Sequence, residues 1–385
     1  MRGKLWLTVA MCLLAAAEGG AQVADTFTDY TMRGDLMRSF ARFEAGGPVR
    51  VAFMGGSVTT QSWREPVMAA LRARFPKAQF DFVMAGVGGT DANLGAFRLP
   101  RDAFSRGKVD LFFLEFAVNG GGVRAMEGIV RQAKRLNPDI DILLTYFANT
   151  GHVADDDKGA VPGIVRDHEQ VAEHYGLPSL FFYRSVARAI RDGKLTWAEF
   201  SGDVVHPTQH GCDLYAAWFK SFLDQAWAAP KPPTPAALPE PIDPLCYQRG
   251  KLVAPTAATV AKGFAMHTGW APEKTCNFAP PVDVLEATEP GAELSYRFTG
   301  TAIGLYLIAG FDAGTLSYSL DGAAPKTVDL YDEPWCGMFH RPVHRMLAED
   351  LPNAEHTLTL RLTDAHHAKS TGTAMRLLQL MVNGD

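Results

Sequence analysis

The first half of the chain alternates strand-like apolar runs with amphipathic stretches. Several of the runs are almost continuously apolar, as in strands covered on both faces. The runs are Val49–Met54, Phe80–Met84, Val109–Val118, Ile140–Phe147 and Ser179–Tyr183. Helical spacing with charged outward positions marks the stretches Pro66–Phe75, Gly122–Leu136 and Ile164–Tyr175. Strands that alternate with helices predict a parallel sheet with right-handed crossovers, here a three-layer α/β/α domain.

The second half has a different pattern, with short apolar runs bounded by Gly, Pro, Asp and Asn and almost no helical periodicity. These runs are Glu293–Phe298, Ala302–Ile308, Thr315–Leu320, Thr327–Leu330, His356–Leu362 and Leu377–Val382. One of them ends on the turn signal Asp321-Gly322. The pattern predicts a smaller, antiparallel β-sandwich domain.

A proline-rich segment separates the two patterns. Seven of the fifteen residues from Pro230 to Pro244 are proline. Because proline fixes φ and donates no amide hydrogen, this segment is expected to be a stiff, extended connector. The predicted organisation is therefore an α/β/α domain over 22–229, a linker over 230–244 and the sandwich over 245–385.

The first 21 residues have the pattern of a secretory signal peptide. A short basic start precedes the apolar run Leu5–Ala17, and the small residues Gly19 and Ala21 suit cleavage before Gln22. Thirteen apolar residues span only ~20 Å as a helix, less than the ~30 Å of a membrane core. The sequence therefore predicts a secreted or periplasmic protein without membrane insertion.

Composition narrows the function classes. The chain has 385 residues, of which 47% are hydrophobic and 21% charged, and this excludes a largely disordered, collagen-like or coiled-coil protein. A net charge of -5 gives no basic surplus for binding nucleic acid. The four cysteines beyond residue 21 allow three full pairings, and we favour Cys246–Cys276 because both are expected in the second domain.

The candidate chemistry begins with Ser57, which follows the first apolar run and the two glycines Gly55 and Gly56. Ligands of open parallel sheets bind beyond the carboxyl ends of the strands, so this serine is well placed to be a nucleophile. A tight turn with a helix-capping serine is the structural alternative.

A base and oxyanion donors are also present. Asp203 and His206 lie three residues apart before the last helical run, so the carboxylate can orient the imidazole toward a serine. Gly89 and Asn119 follow the next two strands and offer a backbone amide and a side-chain amide. Taken singly, Asp203-x-x-His206 is more typical of a loop histidine with a capping aspartate, and each of the other two loops is compatible with a plain strand-to-helix turn.

In this order, Ser57, Gly89, Asn119 and Asp203-x-x-His206 resemble the four blocks of the SGNH (GDSL-type) hydrolase family over residues 49–227. The resemblance implies that Ser57 is the nucleophile, that Asp203 and His206 complete the triad, and that Gly89 and Asn119 complete the oxyanion hole. Three departures from the family pattern are Gly-Gly-Ser-Val-Thr in the first block, Met84 where asparagine is frequent, and Gly120 where aspartate is usual. None of them removes a catalytic group.

The wording of the blocks is similar to the carbohydrate-esterase branches of the family, some of which carry a β-sandwich, as in acetylmannan esterases. The resemblance implies a serine esterase that needs no cofactor and removes acetyl groups from a polysaccharide or oligosaccharide. Two alternatives remain: a lipase, arylesterase or thioesterase for longer acyl chains, and a glycan-binding protein with an inert hydrolase half. The oligomeric state is left open.

Other polar and aromatic residues give weaker signals. The pairs Ser62-Trp63 and Phe97-Arg98 either line the pocket or pack as ordinary helix residues. Histidine pairs and an aspartate run (His340 with His344, His366 with His367, and 155–157) lack the ligand spacing of zinc or calcium sites, so no metal is expected. Candidate sugar-stacking aromatics of the sandwich, led by Trp335, are Trp270, Tyr296, Tyr306, Tyr318, Trp335 and Phe339.

Overall fold

The computed structural model describes residues 26–234 and 237–385, so the predicted signal peptide lies outside it. The helices are α1 (Met37–Ala45), α2 (Arg64–Arg74), α3 (Ala92–Asp102), α4 (Val123–Leu136), α5 (Thr150–Asp157), α6 (Gly163–Tyr175), α7 (Phe182–Arg191), α8 (Trp197–Phe200) and α9 (Gln209–Ala226). The strands that share the first half with them are β1 (Tyr30–Thr31), β2 (Gly47–Gly55), β3 (Ala78–Gly86), β4 (Leu111–Leu114), β5 (Asp141–Thr145) and β6 (Ser179–Leu180).

The strands of the first half form one sheet in the order β1-β6-β5-β4-β2-β3. The pairs among β2 to β6 are parallel, and the two-residue β1 is antiparallel to β6 at the edge. Every residue of β4 and β5 is buried. Because successive side chains of a strand face opposite sides, helices must cover both faces of the sheet. The predicted α/β/α domain with a parallel sheet is confirmed.

One apolar run and one helix differ instructively from the sequence prediction. The run Ser179–Tyr183 is divided between β6 and the first turn of α7, which begins at Phe182. This helix buries Phe182 and Tyr183, so the apolar run continues across a change of backbone conformation. Helix α3 was not predicted, because its sequence is buried along most of its length and lacks a clear polar face.

The second half folds into two antiparallel sheets, which confirms the predicted β-sandwich. Its strands are β7 (Gly250–Val253), β8 (Thr259–Lys262), β9 (Ala265–Trp270), β10 (Val282–Ala287), β11 (Glu293–Gly300), β12 (Ala302–Ala309), β13 (Gly314–Leu320), β14 (Lys326–Asp329), β15 (Arg341–Ala348), β16 (Ala354–His366) and β17 (Met375–Asn383). One sheet has the order β15-β12-β17-β10-β9, with β7 also on β17, and the other has the order β14-β13-β16-β11-β8. Leucines such as Leu294, Leu316 and Leu377 are fully buried in the core of the sandwich.

The sandwich packs against the outer face of α3. Strands β7 and β17 contact this helix, and the ring of Tyr247 lies 4.9 Å from that of Phe97. Tyr306 and Met381 of the sandwich belong to the same apolar cluster as the core of the α/β domain. The two halves therefore share a continuous apolar interface, and this interface is what buries α3.

The second part of the proline-rich linker is held against α4 by a buried carboxylate. Glu127 is fully buried and accepts hydrogen bonds from the hydroxyl of Tyr175 at 2.6 Å and from the backbone N–H groups of Ile242 at 2.5 Å and Asp243 at 2.8 Å. Arg131 donates to the carbonyl of Pro239 at 2.6 Å. This part of the connector is therefore fixed to the α/β domain by directed hydrogen bonds.

The expected Cys246–Cys276 disulfide is wrong: among the residues described, Cys212, Cys246, Cys276 and Cys336 are all free thiols. Cys246 is buried where the linker meets α4, and its carbonyl accepts from the Asn383 side chain at 3.3 Å. Cys276 is held elsewhere, because its N–H donates to the carbonyl of His340 at 2.9 Å.

Across 26–234 and 237–385 no helix combines the length and the apolar character needed to cross a membrane.

We predict that Glu127→Ala lowers the free energy of unfolding by about 3 kcal/mol, because it leaves two backbone N–H groups and a buried hydroxyl without their acceptor. Urea unfolding monitored by fluorescence measures this loss. Limited proteolysis should also cut residues 237–249 faster in the variant. The exposed Glu44→Ala on α1 is the matched control and should change neither measurement. Equal stability of the two variants would contradict this role of Glu127 in holding the linker.

Candidate active site

Ser57 lies immediately beyond the carboxyl end of β2. It has helical backbone angles (φ -66°, ψ -33°) and begins a short 3₁₀ turn over Val58–Thr60, in which the N–H of Thr60 donates to the Ser57 carbonyl at 3.0 Å. A Cβ on Gly56 would lie 1.9 Å from Oδ1 of Asn119, so only glycine fits before the serine. The Gly-Gly-Ser sequence thus lets the next loop approach the serine closely.

The structure brings Ser57, His206 and Asp203 into one hydrogen-bonded chain. Nε2 of His206 lies 2.8 Å from Oγ of Ser57, and Nδ1 lies 2.7 Å from Oδ2 of Asp203. Since a carboxylate accepts only, Nδ1–H donates to Asp203 and Nε2 is left to accept the serine proton. This is the order of nucleophile, base and orienting carboxylate that proton abstraction from a serine requires.

The loop that carries the histidine is fixed by its own backbone. Oδ1 of Asp203 accepts from the N–H groups of Val205 and His206, each at 2.7 Å, and Ser201 Oγ donates to the His206 carbonyl at 2.7 Å. Burial pushes the pKa of Asp203 up, but the hydrogen bonds from the backbone and ring of His206 and from Val205 outweigh it and hold this pKa below its ordinary value. The carboxylate is therefore charged where it faces the imidazole.

Gly89 and Asn119 lie in the two loops beside Ser57. Asn119 packs its Oδ1 against Gly56, and among the described residues this oxygen has no hydrogen-bond partner; Nδ2 is the amide atom farther from Gly56. Gly89 has a positive φ of 68°, which suits a residue without a Cβ. The N–H of Ala92 donates to the carbonyl of Gly120 at 3.0 Å, so the two loops are joined directly.

Arg98 on α3 joins the carboxyl ends of β2 and β3. It is fully buried and donates to the carbonyls of Gly55 at 2.9 Å and Ala85 at 2.6 Å, to the hydroxyl of Thr90 at 3.4 Å, and to the carboxylate of Asp102 at 3.0 Å. It therefore does not line a pocket but holds the ends of β2 and β3.

The neighbouring candidates also belong to the core. Phe97 is fully buried in α3, and Trp63 is 1% exposed and stacks on Phe219 at 4.7 Å. Ser62 donates to Gln209 at 3.0 Å. For Trp63, Phe97 and Arg98, ordinary packing is therefore the correct alternative.

Glu115 is a second buried charge beneath the site. Its Oε1 accepts from the N–H of Val118 at 3.0 Å, while Oε2 lies beside the Cα of Gly55 and has no hydrogen-bond partner among the described residues. Burial raises the pKa of Glu115 to about 7, although the backbone N–H groups of Val118 and Gly56 favour the charged form. The sequence signal for this group is a single acidic residue inside the apolar run Val109–Val118.

Two further residues near the site were missed because they come from the sandwich. Arg341 donates to the carbonyl of Gly89 at 3.1 Å, and the side chain of Asn277 lies against Gly88. Nothing in their local sequence indicates a contact with the α/β domain.

In the part of the chain that the structure describes, no group of three or more His, Cys, Asp or Glu side chains is placed to hold a metal ion.

The candidate sugar-stacking aromatics differ in exposure. Trp335 is 44% exposed, on a 3₁₀ turn before β15. The others are buried or partly buried: Trp270, Tyr296, Tyr306, Tyr318 and Phe339. Exposure therefore leaves Trp335 as the strongest of the six.

We predict that Glu115→Gln removes a pH dependence of stability. Between pH 4.5, the ordinary carboxyl value, and about 7, the unfolded chain releases the Glu115 proton while the folded protein retains it. Wild-type protein should therefore lose up to about 3 kcal/mol of stability over this interval, whereas glutamine cannot titrate. Chemical unfolding at pH 4.5, 6 and 8 measures the difference between the two proteins. The exposed Glu44→Gln is the control. If the stability difference between the wild-type protein and Glu115→Gln is the same at all three pH values, the burial argument is contradicted.

No family model matches the sequence, and no curated protein matches it. Among solved structures, a two-domain esterase active on acetylated mannans superposes with a TM-score of 0.76 at 22% identity, covering 92% of this chain and 96% of that one; that crystal also contains mannopentaose. A second crystal structure of a two-domain esterase active on acetylated mannans gives a TM-score of 0.76 at 23% identity, covering 91% and 96%. This chain has the fold of those two-domain structures: an α/β domain with a mostly parallel sheet followed by a β-sandwich.

Proposed function

We propose that this protein is a serine esterase that removes small acyl groups, above all acetyl, from a polysaccharide or oligosaccharide. The observation that carries the proposal is the hydrogen-bonded chain from Ser57 Oγ through the His206 ring to the Asp203 carboxylate, with links of 2.8 and 2.7 Å. It lies at the carboxyl edge of the sheet, where parallel α/β folds bind their ligands. The pattern of residues 1–21 supports action outside the cytoplasm.

In the proposed mechanism, His206 takes the proton of Ser57 as the serine oxygen attacks the ester carbonyl. Asp203 keeps the ring in the required tautomer and stabilises the imidazolium. The tetrahedral oxyanion is held by the backbone N–H groups of Ser57 and Gly89 and by Nδ2 of Asn119, and each such donor contributes ~2.7–4 kcal/mol to the transition state.

The intermediate collapses as the bond to the sugar oxygen breaks, and the imidazolium gives its proton to that oxygen, which leaves as a hydroxyl. Water then attacks the acetyl-serine, again losing a proton to His206, and acetate is released. The cycle needs no cofactor, since every proton transfer uses the one imidazole.

An acetylated glycan as substrate is supported by the fold and by Trp335. The fold is that of an esterase active on acetylated mannans. In this chain the Arg341 guanidinium lies 5.8 Å from the centre of the Trp335 ring and also reaches the Gly89 carbonyl. The exposed ring is therefore adjacent to the proposed oxyanion hole, where a sugar unit next to the acetylated one can stack on it.

We predict that Ser57→Ala lowers kcat for 4-nitrophenyl acetate, and acetate release from acetylated mannan, by ~10⁴-fold or more, and that Asp203→Asn lowers kcat by ~10⁴-fold. Circular dichroism should show an unchanged fold in both variants. The exposed Ser105→Ala is the matched control and should keep wild-type rates.

Full activity of Ser57→Ala would remove this serine from the mechanism. Faster turnover of 4-nitrophenyl octanoate than of the acetate by the wild-type protein would contradict the small-acyl assignment. Glycan binding by a wild-type protein that hydrolyses neither ester would instead identify a binding protein.

We predict that Trp335→Ala lowers kcat/KM for acetylated mannan about 3- to 10-fold more than kcat/KM for 4-nitrophenyl acetate, because one aromatic stack contributes about 0.5–1.5 kcal/mol. Acetate release and chromogenic assays on the same preparation measure the ratio. Met266→Ala, which removes a side chain 41% exposed on β9, is the control. If both variants leave the ratio unchanged, Trp335 does not contact the glycan.

A further inference from the structure

The loop that carries the proposed oxyanion-hole amide is covered by side chains of the sandwich. A Cβ on Gly88 would lie 2.1 Å from Oδ1 of Asn277, and a Cβ on Gly89 would lie 2.2 Å from Nη2 of Arg341. Because these two positions have no Cβ, side chains of the second domain can pack directly against the active-site loop. At Gly89 the missing side chain also permits the positive φ.

Arg341 is held in place from its own domain. Its side chain is 10% exposed, and Nη1 pairs with the Asp332 carboxylate at 2.9 Å, while Nη2 donates to the Gly89 carbonyl at 3.1 Å. Nε is buried without a hydrogen-bond partner among the described residues. A guanidinium that is fixed at one end by a carboxylate presents its other end in a set direction.

The segments that carry Asn277 and Arg341 are joined by backbone hydrogen bonds. The N–H of Cys276 donates to the carbonyl of His340 at 2.9 Å, and the N–H of His340 donates to the carbonyl of Lys274 at 2.8 Å. The two side chains that cover the glycine loop are therefore carried by neighbouring, hydrogen-bonded segments of the sandwich, Asn277 by the loop between β9 and β10 and Arg341 by the start of β15.

The α/β domain itself restrains this loop less directly. Its hydrogen bonds flank the glycine pair: the N–H of Val87 donates to the Gly55 carbonyl at 3.0 Å, and Thr90 Oγ1 donates to the Val87 carbonyl at 2.8 Å. Glycine has the widest choice of backbone conformations, so an amide on Gly89 needs an external restraint to keep its direction. The bond from Arg341 to the Gly89 carbonyl supplies one.

We infer that Arg341, supported by Asn277, is a positioning residue for the oxyanion-hole amide of Gly89, so that the sandwich is part of the catalytic apparatus and more than a glycan-binding attachment. This inference rests on the proposed esterase function. It requires Arg341 to act through Gly89 on the transition state, without touching the substrate.

The test is the effect of Arg341→Met on 4-nitrophenyl acetate, a substrate with no glycan part. We expect kcat to fall about 10- to 100-fold with KM changed less than about 3-fold, since a misplaced donor weakens the transition state more than the ground state. Inhibition by phenylboronic acid, whose serine adduct is tetrahedral, should weaken in parallel with kcat/KM. Arg341→Lys keeps the positive charge, but its single ammonium group cannot bind the Asp332 carboxylate and the Gly89 carbonyl together as the guanidinium does. Its kcat should therefore lie between those of the wild-type protein and Arg341→Met.

The exposed Arg361→Met on β16 is the matched control and should leave all these values unchanged. Hydrogen exchange of the peptide over residues 84–97 should become faster in Arg341→Met but not in Arg361→Met. If Arg341→Met does not fold, as judged by circular dichroism, Asn277→Ala replaces it in the same assays, with a smaller expected loss of kcat.

The outcomes separate the inference from the proposed function. A wild-type protein that hydrolyses no acetate ester overturns the proposed function, and hydrogen exchange of 84–97 then still decides whether Arg341 restrains the loop. Wild-type activity with an unchanged kcat in Arg341→Met overturns the inference alone. A loss confined to acetylated mannan does so as well, because it assigns Arg341 to glycan binding.

Discussion

The parallel pairing of β2, β3 and β4 is the constraint on which the site depends. Parallel strands end at the same edge of a sheet, so the loops that carry Ser57, Gly89 and Asn119 start side by side. Strand ends alone would bring these loops only into the same neighbourhood. Two buried ionisable side chains refine the arrangement: Arg98 binds the terminal carbonyls of β2 and β3, and Glu115 binds the N–H of Val118 in the loop after β4.

Both buried groups are costly to hold away from water, and their local surroundings compensate in different ways. Arg98 keeps its charge because two carbonyls, a hydroxyl and the Asp102 carboxylate satisfy most of its donors. Among the described residues, Glu115 has backbone N–H groups and no cation as partners, so burial raises its pKa to about 7. Burying Arg98 and Glu115 lowers the stability of the fold, but their hydrogen bonds fix the loops at the carboxyl edge of the sheet. Such an exchange of stability for fixed geometry is common at functional sites.

The sandwich contributes in two places. It covers α3, which explains how a helix with so little polar surface is stable in this fold. Through Arg341 and Asn277 it also reaches the glycine loop that precedes the same helix. The linker, held by Glu127, fixes the first residues of the sandwich to α4 and so limits how far the two halves can separate. The Trp335 ring, the Arg341 guanidinium and the Gly89 loop thus form one continuous surface.

The amino-acid sequence was sufficient for the features that depend on local pattern. Apolar runs identified the central strands, and the change of periodicity separated the α/β half from the sandwich. Two short motifs supplied Ser57, Asp203 and His206, which the structure joins by hydrogen bonds although Ser57 and His206 are 149 positions apart. The folded chain was needed to learn that Cys246 and Cys276 do not pair, that Arg98 is buried, and that Arg341 contacts Gly89, 252 positions away. Periodicity and turn chemistry act over a few residues, whereas the partner of a side chain depends on where two domains meet, and no local pattern records that meeting.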